Sequence, residues 1–379
     1  MDTGWERWRT EFPSSIRVVH MNHAGIAPIP VRVARAVERF AGDALHLTAG
    51  LPEQWAERAE EVRTAFARLV NANADEIAFI QNTSAGLSLV AAGLDWQRGD
   101  NVVAVAEEYP SNVYPWFGLQ RWGVQTRLLP RQDSRFGVDD LRAIVDGQTR
   151  LVSVSAVDWQ TGFRADLAAI GEFCRRRDIL FCVDAVQAVG ALRVDVVATG
   201  VDCLATGGHK WLLAPEGCGA LFVSRRVLDR IHPVLLGWKS VEHAEQYLPY
   251  HFELRRDAAR LEPGSPPHLG IHAFGAAVDL LLEVGPDAIE RRVLELTSRL
   301  AEGLRARGAI ILSPWAEHER SGILTFRLGD ARELQSAMTR AGIVTRRRLE
   351  GIRLAPHFYN NNSDIARVLE VVDEYRHAG

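Results

Sequence analysis

Lys210 follows Thr206-Gly207-Gly208-His209, directly after the mostly apolar run at 201–205. Upstream, Asp184 closes a second apolar run at 179–183, within Val183-Asp184-Ala185-Val186-Gln187. Short apolar runs bounded by glycine or polar residues read as buried strands. The chain therefore delivers an amine and a carboxylate to the ends of two strands. A primary amine condenses with an aldehyde and can afterwards act as a base, and a buried carboxylate can keep a ring nitrogen protonated. The pair suits an enzyme whose cofactor is an aldehyde on a basic ring.

Other residues invite chemistry, each with a plainer alternative. Asn82-Thr83-Ser84 follows a strand at 76–80 and opens a helix. Free N–H groups and hydroxyls there make either a phosphate seat or a simple N-cap. Tyr109, in Glu107-Glu108-Tyr109-Pro110-Ser111-Asn112, is a flat ring for stacking or, with Trp116, a core aromatic. His23 lies in the Gly/Pro-punctuated loop Met21-Asn22-His23-Ala24-Gly25, where it could meet substrate or simply hold backbone. Arg353, before Leu354-Ala355-Pro356-His357-Phe358-Tyr359, is a bidentate carboxylate clamp or a surface arginine. Arg346-Arg347-Arg348 is a basic cluster, an anion contact or a solvated face. His268 and His272 are spaced as metal ligands on a helix, but no third ligand stands nearby, so no metal is expected.

The elements around these residues alternate. Strands are expected at 76–80, 101–106, 124–129, 150–155, 179–183, 201–205 and 220–223, with helices such as 138–145 and 166–174 between them. Alternation of this kind gives an α/β protein, a mainly parallel sheet sandwiched by helices. Beyond Glu262-Pro263-Gly264-Ser265-Pro266-Pro267, long helical patterns and short strands indicate a smaller α+β unit. The division expected is 1–20, an N-terminal segment packing on the small domain; 21–262, the large domain; and 263–379, the small domain. The net charge of −4 gives no electrostatic case for nucleic acid. No apolar run reaches the length of a membrane span. No apolar stretch follows Met1, and the four cysteines form no C-x-x-C pair, so a cytoplasmic protein with buried free thiols is expected. The Gly217–Gly219 pair lacks the rest of a dinucleotide fingerprint, and there is no Walker loop.

From about residue 21 to the C-terminus, the order and spacing of these motifs resemble pyridoxal-phosphate (PLP) enzymes of fold type I, specifically the class V aminotransferase and cysteine desulfurase-like superfamily. The resemblance implies that Lys210 forms the Schiff base and acts as general base, with Asp184 on the pyridinium nitrogen and Tyr109 stacked on the ring. It implies Thr83, Ser84, Thr206 and His209 around the phosphate and Gln187 on the phenolic oxygen. Ser265, in an E-x-G-S-P segment, would reach the partner's cofactor across a homodimer with shared sites. Arg353 would hold the substrate carboxylate, with His23 and Trp159 on the substrate side. Trp159 stands where desulfurases place an asparagine, and no cysteine occurs after Cys218 to carry a persulfide. Both departures resemble the C–S lyase, isopenicillin N epimerase-like and kynureninase-like members, and make a persulfide-forming desulfurase unexpected. The implied activity acts at Cα and Cβ of an L-amino acid, as aminotransferase or β-(C–S) lyase, with an epimerase as alternative. A catalytically silent PLP-fold partner protein is the alternative of another class, opposed by the joint presence of Lys210, Asp184, Gln187 and Arg353.

Overall fold

The computed structural model describes residues 3–378. Six of the strands forming the large sheet are almost continuous apolar runs buried on both faces, as a helix-covered parallel sheet requires. In chain order these strands are β2 (Ile77–Ile80), β3 (Asn101–Val105), β4 (Gln125–Leu129), β5 (Thr149–Ser155), β6 (Leu180–Asp184), β7 (Cys203–Gly207) and β8 (Gly219–Val223), after a short β1 (Val19–His20). The sheet runs β2-β8-β7-β6-β5-β3-β4. Every pairing is parallel except the two made by β8, which lies antiparallel to both β2 and β7. The C-terminal ends of β2, β3, β5, β6 and β7 therefore share one edge, where open α/β sheets present their ligand sites.

Side chains alternate across the sheet. Val103, Val152, Phe181 and Val183 enter the core on one face, and Val102, Leu151, Leu180 and Cys182 enter the core on the other. All four cysteines are buried and free. The helix His268–Val284 sends Ile271, Phe274, Val278 and Leu281 into the first of these cores, against helices Val31–Leu45 and Leu51–Val70. It packs with the large sheet, although the sequence places it beyond the 262/263 boundary.

The C-terminal region forms a second sheet and its own core. Strands β9 (Ile310–Ile311), β10 (Leu324–Arg327), β12 (Arg346–Arg348) and β13 (Gly351–Leu354) order as β12-β13-β10-β9, all antiparallel. Leu300, Leu304, Phe326, Met338, Val368 and Val372 fill the space under helices Pro286–Arg305, Ala331–Arg340 and Asn362–Ala378. The N-terminal segment joins this half: β1 pairs in parallel with β11 (Ile343–Val344), and Arg9 bonds Asp364 at 2.8 Å. No single helix among the described residues is long and apolar enough to cross a membrane.

Candidate active site

A cavity of about 520 Å³ opens at the C-terminal edge of the large sheet, between it and the β12–β13 hairpin. Its walls include Thr83, Tyr109, Asp184, Lys210, Trp159 and Arg353. Ser84, Gln187 and His209 line it as well. Nine of the sequence-predicted residues, far apart along the chain, thus face one space.

Lys210 leaves the end of β7 in the tight turn that follows Gly207. Gly208 has no room for a side chain: a Cβ would stand 2.9 Å from Phe274 and 3.0 Å from the Cys218 carbonyl. Burial pushes the Lys210 amine down to about 8, opposed by Asp184 and reinforced by Arg353 and Arg348. Asp184, 3% exposed at the end of β6, accepts a hydrogen bond from the Val186 N–H at 3.0 Å. Burial lifts its carboxyl to about 6, while that bond and Lys210 pull the other way. A buried acid so poised is held ionised by a cation placed against it, as a protonated ring nitrogen would be.

At the start of helix Thr83–Gly93, Asn82 caps the Ala85 N–H through its side chain at 2.9 Å. The first helical N–H groups have no intrahelical acceptor. The Thr83 hydroxyl is buried and without a hydrogen-bond partner. It lies beside Gly207 and His209, where a Gly207 Cβ would come within 3.5 Å of it and 3.2 Å of the imidazole. Burial and Lys210 lower the His209 pKa, with Glu216 opposing. The set forms an anion cradle with an unsatisfied donor. Together with Lys210 and Asp184, it fits a phosphorylated pyridine aldehyde.

Tyr109 is 44% exposed and meets Trp159 edge to face at 5.4 Å, and the Lys210 amine lies 5.5 Å from its ring centre. Trp116, by contrast, is wholly buried core. Gln187 Oε1 accepts from the Trp211 indole N–H and its Nε2 donates to the Ala24 carbonyl, which leaves one amide hydrogen for a ligand. Arg353, 1% exposed, donates to the Trp159 carbonyl at 2.5 Å and to Asn22 Oδ1 at 3.2 Å. Its Nε has no partner. Burial, then Arg348 and Arg346, push its pKa down to about 9, against Asp158.

Two expectations are corrected. His23 is not at the substrate side: it is fully buried behind the cavity. Its Nδ1 donates to the Ala355 carbonyl at 2.7 Å, so Nε2 accepts from the Tyr359 hydroxyl at 2.8 Å. Burial holds it neutral, well below the usual histidine range. Thr206 is also fully buried within β7, its hydroxyl 3.5 Å from the Gly207 carbonyl and away from the cavity. The arginine run, left open by the sequence, is split: strand alternation turns Arg346 and Arg348 to the cavity and Arg347 to helix Ala331–Arg340, where it bonds Gln335 at 3.1 Å. Ser265 is exposed and lies outside its own chain's cavity.

Sequence reasoning missed Asn22, Ser111 and Glu108. Asn22 lines the cavity because it bridges to Ala355 in an extended segment, so its neighbour His23 points the other way. The alternation rule was the available signal. Ser111 lines the cavity and accepts from the Ser84 hydroxyl at 2.7 Å. Glu108 is buried under the end of β5, where it accepts from both the N–H and the hydroxyl of Ser155.

Residues 19–362 match the family described as aminotransferase class-V, and the chain belongs to it. It is thus a PLP-dependent enzyme of fold type I. A probable cysteine desulfurase of Pyrococcus abyssi is 27% identical, covering 97% of this chain and 96% of the relative. A cysteine desulfurase of Cronobacter sakazakii is 32% identical, over 76% of this chain and 72% of its own. A solved complex of the cystine C–S lyase C-DES with its product cysteine persulfide superposes with a TM-score of 0.88 at 23% identity, covering 96% of this chain and 99% of that one. The expectation that a desulfurase is unlikely is not borne out, because relatives so named match most of the chain despite its lack of a cysteine after Cys218.

Proposed function

We propose that the protein cleaves a C–S bond at Cβ of an L-amino acid, as a β-lyase. The observation that carries the reading is the Lys210 amine, held near neutrality in the cavity that Arg353 enters without a carboxylate partner. PLP, when bound, would supply a carbonyl for the substrate's amine and an electron sink for the pair left at Cα. Thr83, Ser84, His209 and the helix N-terminus would hold its phosphate, Asp184 would keep its ring nitrogen protonated, Gln187 would donate to its ring oxygen, and Tyr109 would stack on the ring. Arg353 takes the substrate carboxylate, positioned by Asn22 and the Trp159 carbonyl. Lys210 then removes the Cα proton, and the sulfur leaves Cβ with its bonding pair. The names of the desulfurase relatives and of the C–S lyase neighbour support this choice.

Transamination is the second reading, supported by the family description. We place the working unit as a homodimer, with Ser265 reaching the partner's site. The segment 234–252 supports this: Leu235, Leu248, Tyr250 and Phe252 are strongly exposed, an apolar surface that suits a subunit contact.

The test mixes holoenzyme with L-cysteine and S-substituted L-cysteines and analyses products by mass spectrometry. Released sulfide or thiol with pyruvate and unchanged PLP is expected, and Lys210→Ala abolishes it. Pyridoxamine phosphate with a keto acid would replace the lyase by a transaminase, and solvent deuterium at Cα without another product would replace it by an epimerase.

A further inference from the structure

Three guanidinium groups converge on the cavity from one face of the β12–β13 hairpin. In its antiparallel register Arg346 stands opposite Arg353 and Arg348 opposite Gly351, so period-two alternation turns Arg346, Arg348 and Arg353 the same way. Gly351 is required beneath them, since a Cβ there would lie 2.1 Å from the Phe326 carbonyl. Arg348 lies over the Trp159 ring at 4.9 Å, its Nε is buried without a partner, and NH1 donates only to the Arg347 carbonyl. Among the described residues, none of the three makes an ion pair with a carboxylate, although most arginines in this protein do. Like charges held together without counter-ions are an arrangement that an anion completes.

The anions already assigned do not use all three. The phosphate cradle is at Thr83, over the end of β7, whereas Trp159 and Arg348 lie beyond the end of β5. Those strands are two apart in the sheet, roughly 10 Å at ordinary strand spacing. On the proposed function, Arg353 takes the substrate α-carboxylate. Arg346 and Arg348 are left over on the substrate side.

We infer that the substrate is an L-amino acid whose side chain ends in a second carboxylate, bound by Arg348 and Arg346. This rests on the reading of the site as one for amino acids, and it selects among them: S-linked cysteine derivatives that carry an acid at the far end rather than neutral or aromatic thioethers.

The test uses holoenzyme and two matched pairs. S-carboxymethyl-L-cysteine is compared with S-carbamoylmethyl-L-cysteine by kcat/KM and by spectral titration, and glutarate with glutaramate by calorimetry. The acid of each pair is expected to be preferred roughly tenfold to a hundredfold, the range for hydrogen bonds to a charged group. Arg348→Gln and Arg346→Gln each shrink that ratio, and Arg347→Gln, which alters the same basic run on the opposite face, keeps it. Equal binding within both pairs overturns the inference, as does a ratio that falls equally in Arg347→Gln. Failure of every amino acid to react, with glutarate still preferred, would sink the amino-acid reading and leave the second-anion site standing.

Discussion

Arg353→Met removes a charge that the fold holds at a cost. Burial, with Arg348 and Arg346 beside it, lowers the guanidinium from 12.5 to about 9. At about 1.36 kcal/mol per pH unit, the charged form is destabilised by about 5 kcal/mol in the unliganded protein. The folded state binds this proton more weakly than the unfolded chain, so the penalty is complete below the folded value and fades as pH rises towards the unfolded one. Opposing it are the hydrogen bonds to the Trp159 carbonyl and Asn22. At ~1.5–3 kcal/mol each, they return about 3–6 kcal/mol. The two contributions nearly cancel. Arg353→Met apoprotein is therefore expected within about 2 kcal/mol of the parent in urea unfolding at pH 7, where breaking a paired buried charge costs ~3–5 kcal/mol. Its kcat/KM for amino acids falls ~100- to 5,000-fold, the loss of a buried carboxylate contact of that size. A stability loss above about 3 kcal/mol with modest kinetic change would refute the reasoning, and would make Arg353 a structural tie for the Trp159 loop.

Three further outcomes are expected. Burial lifts the Glu108 carboxyl to about 7, against bonds from Ser155, with Asp184 and Asp158 adding to the rise. The folded state then binds this proton more tightly than the unfolded chain, so apoprotein stability falls as pH rises from about 4.5 to about 7, by roughly 3 kcal/mol. Glu108→Gln retains an acceptor for Ser155 and flattens that slope, which melting temperatures across the interval would report. Burial lifts the Asp184 carboxyl to about 6, so cofactor affinity is expected to weaken as pH falls through about 6. Asp184→Asn removes this dependence, read by absorbance during reconstitution at several pH values. Gly190 has φ +99°, and a Cβ there would stand 2.2 Å from the Trp211 carbonyl, next to Lys210. Gly190→Ala should lose several kcal/mol in denaturant unfolding, on the order of a forced left-handed backbone plus a clash (~1–3 kcal/mol each).

The sequence by itself determined the chemistry-bearing strand ends. Residues 179–183 and 203–205 are apolar because both faces of their strands are covered, and strands that end at the sheet edge deliver Asp184 and, through the turn after Gly207, Lys210 to that edge. Thr83 follows from the same local logic, since strand, turn and helix are adjacent in the chain. Only the tertiary structure decided which way the loop and hairpin residues face. His23 and Asn22 are neighbours in a loop, and pairing with Ala355, far away in sequence, sends one to the core and the other to the cavity. Thr206 is a hydroxyl beside the cofactor motif, but its strand position buries it. The helix His268–Val284 reads as part of the C-terminal half until its apolar face meets helices from the first. Arg346, Arg347 and Arg348 are alike as letters, and their separation into two cavity residues and one outward residue needs the Arg346–Arg353 register. The shifted Lys210, Asp184 and Arg353 values belong to the same level, because each arises from burial and charges that distant segments bring together.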